Sequence, residues 1–147
     1  ATSVVAASLV AALKAQGRSV WDELERLARL HGLHVSSPLT FRVEEIEQIA
    51  SGMARLRAQP PSVLAGSPVV EVSDLSQGYR GLPPTDGVLV LTEAGDRVIA
   101  RPSGTEPKLK CYLEVILPVA EGEPLPWEQA RERLDSIKGA FAEIIGL

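Results

Sequence analysis

The chain has 147 residues, of which 45% are hydrophobic and 23% are charged, and its formal net charge is −4. This length suits one domain better than two, and this composition is typical of a folded, globular protein. The negative charge argues against a protein that binds nucleic acid through a broadly basic surface, although a small anion site needs only local positive charge.

The single cysteine, Cys111, excludes an internal disulfide and a cysteine-based metal cluster. Its position in a predicted strand favours the role of a small buried hydrophobe, and one unpaired thiol is typical of a reducing cytoplasm. No secretory signal is evident, and the apolar stretch 1–13 is shorter than the ~20 residues of a membrane-spanning helix. We therefore predict a cytoplasmic protein that binds neither membrane nor nucleic acid. The start at Ala1, within an apolar pattern, indicates a fragment of a longer protein.

The beginning of the chain predicts a helical hairpin. Residues 2–16 are rich in Ala and Leu, and positions 4–13 are almost all apolar, which is typical of a helix buried on several sides. Gly17 ends this helix. Ser19 caps a second helix over 19–30, and Asp22 completes a capping box. His31 and His34 do not predict a metal site, because a glycine breaks the helix between them and no third ligand is recognisable.

The rest of the chain predicts a strand at 33–39, a helix at 41–58, and then four strands. These strands lie at 69–72, 88–92, 97–101 and 110–118, and a last helix extends from Pro126 to about residue 145. The acidic residues near position 45 indicate a solvated first helical turn rather than paired catalytic carboxylates. We expect an α+β fold, with a mainly antiparallel sheet of four to five strands, helices on one face of it, and the helical hairpin before it.

The polar stretch 101–110, between two predicted strands, concentrates the chemistry of the chain. The residues in this stretch that could contact an anion are Arg101, Ser103, Gly104, Thr105, Lys108 and Lys110. The guanidinium offers a fork that matches phosphate oxygens, the hydroxyls can donate hydrogen bonds, and the lysines add charge. The glycine permits a positive φ that would turn successive N–H groups toward one anion. The same residue types also form ordinary turns, so the residues alone leave both interpretations open.

The string RPSGTEPK, residues 101–108, resembles the phosphate-binding loop of phosphohexomutases, the phosphoglucomutase and phosphomannomutase family. Residues 13–24 resemble the helical hairpin that closes the third domain of the bacterial enzymes, and residues 82–88 also resemble the family. The family has four domains, and its last domain has a strand, helix, four-strand, helix order like that of the TATA-binding protein. The resemblance implies that residues 1–32 end the third domain and that residues 33–147 form the C-terminal phosphate-binding domain.

The resemblance also implies an activity for the full-length enzyme. A phosphoserine would interconvert hexose 1-phosphate and hexose 6-phosphate through a bisphosphorylated sugar, with magnesium held by an acidic loop. The phosphoserine, the magnesium loop and the sugar-recognising loop have no counterpart in this sequence. We therefore assign no catalytic and no metal-binding residue here, and we expect the fragment alone to be inactive. Its expected partners are a hexose phosphate and the upstream domains of the same enzyme.

Carried over by position, the residues that would bind substrate phosphate are Arg101, Ser103, Gly104, Thr105 and Lys110. Lys110 stands where many relatives have an arginine, so it keeps the charge but loses the fork. Two other hypotheses stay open: a stand-alone binding module for another phosphorylated ligand, and a structural or oligomerisation domain whose loop is only a turn. The apolar helix over 4–13 is also expected to promote self-association of the fragment.

Overall fold

The structure is a computed structural model, and it describes residues 1–146. Within these residues, the helices α1 to α4 span Thr2–Ala15, Val20–His31, Ile46–Ala58 and Trp127–Ile145. The strands β1 to β6 span Leu33–Arg42, Val63–Leu64, Ser67–Asp74, Val88–Thr92, Arg97–Pro102 and Lys108–Leu117. The chain divides into a hairpin unit, Ala1–Leu33 with Leu117–Pro126, and a sheet unit, His34–Ile116 with 127–146.

The hairpin unit contains α1 and α2, as the sequence predicted. Gly17 has a φ of +71° between the two helices, where glycine adopts the left-handed region at little cost. The predicted capping box is present: the Asp22 N–H donates to the Ser19 hydroxyl at 3.2 Å, and the Ser19 N–H donates to the Asp22 carboxylate at 2.6 Å. Along α1, only Leu13 is buried, so the burial on several sides that its composition suggests does not occur.

The sheet unit contains an antiparallel sheet, as predicted, with the strand order β1-β6-β5-β4-β3-β2. Its six strands include the two-residue β2, which lies between the predicted helix at 41–58 and the predicted strand at 69–72 and was not itself predicted. Antiparallel pairing aligns Val88 with Ala100 and Arg101 with Lys110. The hairpins between consecutive strands set this register, so each strand presents alternate residues to the same face.

Several predicted boundaries were wrong: β3 spans Ser67–Asp74 instead of 69–72, and the errors in β1 and β6 lie near the candidate loop. The strand β1 extends to Arg42, so α3 begins at Ile46 instead of residue 41. Pro38 fits within β1 because this strand lies at the edge of the sheet, where a missing N–H is tolerated. The helix begins late because Glu45 is its N-cap and forms a capping box with Gln48. The strand β6 starts at Lys108 rather than at residue 110.

The core of the sheet unit lies between the inner face of the sheet and the helices α3 and α4, which contact each other. Its fully buried large side chains include Met53, Leu56, Leu113, Ile137 and Phe141. Buried Asp96 is compensated by Arg133 of α4, whose Nε lies 2.9 Å from both carboxylate oxygens, and by a 3.2 Å hydrogen bond from the Thr92 hydroxyl. A buried charge needs such partners, so this contact fixes the β4–β5 turn against α4. Each helix in residues 1–146 is too short or too polar to cross a lipid bilayer.

Candidate functional site

The candidate loop is a five-residue turn, 103–107, between the antiparallel strands β5 and β6. Pro102 pairs with Leu109 at its base, and the Ser103 N–H donates to the Lys108 carbonyl at 2.8 Å. A second bond, from the Lys108 N–H to the Glu106 carbonyl at 2.7 Å, tightens the returning side of the turn. The sheet therefore holds both ends of the loop, and the tip projects from the strand ends.

The tip of the loop presents hydrogen-bond donors to solvent. Within residues 1–146, the N–H groups of Gly104, Thr105 and Glu106 donate to no backbone carbonyl. The two residues of the turn that carry hydroxyls are also accessible, since Thr105 is exposed and Ser103 is half-buried. Consecutive backbone N–H groups without internal partners are a recurrent way to bind an anion.

The predicted positive φ at Gly104 was wrong. This glycine lies outside the left-handed region, and a Cβ built on it would meet no heavy atom within 4 Å. The turn closes through the Ser103 and Lys108 backbone bonds and needs no left-handed residue here. The backbone therefore does not require glycine at this position. Its missing side chain leaves the space beside the loop open to a ligand.

Two of the predicted cations meet at the base of the loop. Arg101 and Lys110 are directly paired across β5 and β6, so their side chains leave the same face of the sheet. Arg101 is exposed, Lys110 is half-buried, and neither forms an ion pair with a described residue. The structure thus places the five predicted phosphate-binding residues in the turn 103–107 and in the strand ends that flank it, and Arg101 and Lys110 have no ion-pair partner among residues 1–146.

The third predicted cation, Lys108, is already neutralised. Its Nζ lies 2.6 Å from Glu106 Oε1, and its side chain is only 13% exposed. The hydrogen bond from Lys108 lowers the pKa of the Glu106 carboxyl against a smaller opposing effect of burial, and the positive charges of Lys108, Arg42 and Lys110 lower that pKa further. Glu106 is therefore an exposed counter-ion of Lys108, and it lies close enough to Arg42 and Lys110 to feel their charges.

Arg42 is the residue near the loop that sequence reasoning missed. It is the last residue of β1, and the next residue, Val43, donates its N–H to the Pro107 carbonyl at 3.2 Å. No local pattern connects this arginine with the loop. The signal that could have found it is the position of β1 beside β6, which only the tertiary structure reveals.

A cavity of about 570 Å³ has Arg42 in its wall. It is lined by Thr40, Phe41, Arg42, Val43, Glu44, Glu45, Gln48 and Gly146. No residue of the loop 101–110 is part of this lining, and two glutamates at its wall oppose the binding of an anion. Of the residues at the loop, only Arg42 and its neighbour Val43 therefore border this cavity.

The other reactive residue types are in structural positions. Burial raises the pKa of the Cys111 thiol to about 12, so this cysteine is an inert core residue, as predicted. His34 Nδ1 lies 3.8 Å from a Glu114 oxygen on the outer face of the sheet. Across residues 1–146, no three His, Cys, Asp or Glu side chains come together as a metal-binding group.

Known proteins are similar to this chain over most of its length. Residues 39–125, which include the loop, match the family model described as "Phosphoglucomutase/phosphomannomutase, C-terminal domain". A probable phosphomannomutase of Haemophilus influenzae is 37% identical over 112 residues, which are 76% of this chain and 22% of that protein. A phosphoglucomutase of Staphylococcus haemolyticus is 34% identical over 117 residues, 70% of this chain and 21% of that protein. The chain thus spans about a fifth of the length of these curated relatives.

The fold is also found in a solved structure. The open form of pp63/parafusin, a phosphoglucomutase from Paramecium, superimposes with a TM-score of 0.54, covering 88% of this chain and 24% of that one. The two sequences are 15% identical over this region, so the likeness concerns the fold alone.

Proposed function

The chain belongs to the phosphoglucomutase/phosphomannomutase family as its C-terminal domain, and we propose that its loop 101–110 binds the substrate's phosphate group in the full-length enzyme. The observation that carries this proposal is the pairing of Arg101 with Lys110 directly below a turn in which the N–H groups of Gly104, Thr105 and Glu106 have no backbone partner among the described residues. Guanidinium, ammonium and backbone N–H groups together match the charge and the oxygen geometry of phosphate.

In the full-length enzyme, a phosphoserine in another domain would exchange its phosphoryl group with a hexose 1-phosphate or 6-phosphate through a bisphosphorylated sugar. The loop would hold the phosphate that is not reacting. Because the sugar must turn over between the two transfers, the loop must accept the phosphate in both orientations and make few contacts with the ring. Its part in phosphoryl transfer is positioning and charge stabilisation, which are the main contributions of proteins to this chemistry.

The remaining requirements of the reaction lie outside the described residues of this chain. Residues 1–146 bring together no three His, Cys, Asp or Glu side chains that could hold the magnesium that the family resemblance implies. The 147-residue chain alone should therefore be inactive. The full-length enzyme is proposed to work in the cytoplasm, with its upstream domains as the partners of this chain.

The proposal is tested by titrating the chain with inorganic phosphate and with glucose 1-phosphate while following backbone amides by NMR. We expect shifts confined to residues 101–110, of similar size for both ligands, and their loss in Arg101→Ala. Arg97→Ala is the matched control, because Arg97 lies on the same strand and face but pairs with Glu114 at 3.2 Å. In the full-length enzyme, Arg101→Ala should lower kcat/KM about 10- to 100-fold, which corresponds to about 1.4 to 3 kcal/mol less stabilisation of the transition state.

Absence of any shift in the chain, together with unchanged activity of the full-length Arg101→Ala enzyme, would show that the loop is only a turn. Shifts with inorganic phosphate but no effect of Arg101→Ala on the full-length enzyme would assign the loop to another phosphorylated ligand. Loss of binding in Arg97→Ala as well would indicate a nonspecific charge effect.

We also propose that the isolated chain self-associates through α1. Val4 and Val5 are each 69% exposed, and Leu9 and Val10 are exposed beside them. A contiguous apolar surface of this kind tends to find a partner. Light scattering should show a mass that rises with protein concentration, and changing both valines to glutamate should abolish the rise. A concentration-independent monomer would contradict the proposal.

A further inference from the structure

The edge strand β1 ends beside the phosphate loop, although the two segments are far apart in sequence. It neighbours β6 in the sheet, and the bond from the Val43 N–H to the Pro107 carbonyl joins the end of β1 to the last residue of the turn. The residue immediately before this bond is Arg42, the last residue of the strand. The backbone therefore places an arginine at the side of the loop.

The side chain of Arg42 leaves the same face of the sheet as the lysines of β6. In β1, Arg42 is exposed while its neighbour Phe41 is half-buried. In β6, Leu109 and Cys111 are buried in the core, so Lys108 and Lys110 lie on the opposite, outer face. The effect of both Arg42 and Lys110 on the pKa of Glu106 agrees with this placement, since each positive charge lowers it.

Arg42 has no ion-pair partner within residues 1–146, which distinguishes it from Lys108. Lys108 is paired with Glu106, whereas Arg42 forms no ion pair with a described residue, even though Glu44 and Glu45 follow it in the chain. A free guanidinium offers a planar fork that two phosphate oxygens can accept at once. Lys110 cannot provide such a fork, so a second guanidinium beside Arg101 would supply what this loop lacks.

We propose that Arg42 is a further phosphate-binding residue, contributed to the loop site by β1. This inference rests on the proposed function of loop 101–110. Phosphate would be held from two sides, by Arg101 and Lys110 of the central strands and by Arg42 of the edge strand. The site thus depends on the docking of β1 against β6 as well as on the loop itself.

The test repeats the NMR titration of the 147-residue chain with inorganic phosphate on three further variants. Arg42→Gln removes the charge and the fork, Arg42→Lys keeps the charge only, and Arg97→Gln is the control with an arginine removed elsewhere on the outer face. We expect the dissociation constant to rise about three- to tenfold in Arg42→Gln and less in Arg42→Lys, as befits one charge-assisted contact. The Nε–H resonance of Arg42 should shift during titration of the unchanged chain.

The outcomes separate this inference from the function on which it rests. Loss of binding in Arg101→Ala with no change in Arg42→Gln would overturn the role of Arg42 and leave the loop site standing. Equal weakening in Arg42→Gln and Arg97→Gln would also overturn it, because the effect would then reflect the general charge of the face. If the unchanged chain binds no phosphate at millimolar concentration, the role of Arg42 is overturned. The proposal that the loop forms a complete phosphate site within this chain is then overturned with it.

Discussion

The hairpin unit and the sheet unit differ in the interactions that stabilise them. In the hairpin unit, local interactions specify the helices: the Ser19 capping box starts α2, and Glu23 pairs with Arg18 and Arg26 on its surface. Large apolar side chains of this unit nevertheless stay exposed, including Val4, Val5, Leu9, Trp21, Leu24 and Leu30. In the sheet unit, the core-facing apolar residues of β4, β5, β6, α3 and α4 are buried, and the exposed large side chains of these elements, Ile46, Tyr112 and Trp127, are few.

This difference teaches that local sequence signals and burial are separate requirements. Capping and helix propensity determine where a helix starts and ends, but each contributes only about 1 kcal/mol. Burial of apolar surface contributes far more, and it needs a partner surface. The stability of the sheet unit should therefore depend on its buried apolar core. The stability of the hairpin unit should depend on helix capping and on ion pairs at its surface.

The largest expected effect comes from changing one aromatic residue in each unit. Phe141 is 0% exposed and Trp21 is 78% exposed. Phe141→Ala should lower the free energy of unfolding by about 3–5 kcal/mol through lost burial and a cavity, whereas Trp21→Ala should change it by less than about 0.5 kcal/mol. Urea unfolding followed at individual amides by NMR reads each unit separately. A large decrease in the free energy of unfolding in Trp21→Ala would show that this side chain is buried in solution. The two units would then not differ in the way proposed.

The next effect concerns the buried charge of the sheet unit. Arg133→Ala removes the guanidinium that compensates Asp96 and leaves a buried carboxylate with only the Thr92 hydroxyl beside it. We expect a loss of about 2–4 kcal/mol in the free energy of unfolding, because an uncompensated buried charge is costly. Arg131→Ala, at an exposed position of the same helix, is the control and should be nearly neutral. Equal stability of the two variants would mean that Asp96 reaches water.

The smallest effect is a pH dependence confined to the hairpin unit. The hydrogen bond from Arg26 and then that from Arg18 hold the pKa of Glu23 at about 2, against the opposing effect of burial. A depressed pKa in the folded state stabilises the unit above the ordinary pKa of a glutamate, and this contribution is lost as the pH falls. The protection factors of the α2 amides, which correct for the slower intrinsic exchange in acid, should therefore fall between roughly pH 5 and pH 2, and Glu23→Gln should reduce that change. A Glu23 carboxyl that titrates in its usual range by NMR would contradict the ion pairs.

Much of the fold follows from signals that lie within a few residues of one another. The predicted hairpin, the β4–β5 turn and the antiparallel sheet are all present, because Gly17, Ser19 and the alternating apolar residues act locally. The errors lie where neighbours in space decide. The strand β1 is longer than predicted because it pairs along β6 and is bonded to Pro107 by the Val43 N–H, a partner that is invisible in the local sequence.

The candidate site divides in the same way. The residues from Arg101 to Lys110 are contiguous, so their chemistry could be predicted from the sequence, and the strands on either side place them in one loop. Pairing of Lys108 with Glu106 and the conformation of Gly104 depend on how the turn closes, and neither was predicted. The sequence by itself determined the helices and the longer strands to within a few residues, and the composition of the loop, because these rest on short-range patterns. Only the tertiary structure decided which cations are free and that Arg42 lies beside them, because strand order brings distant residues together.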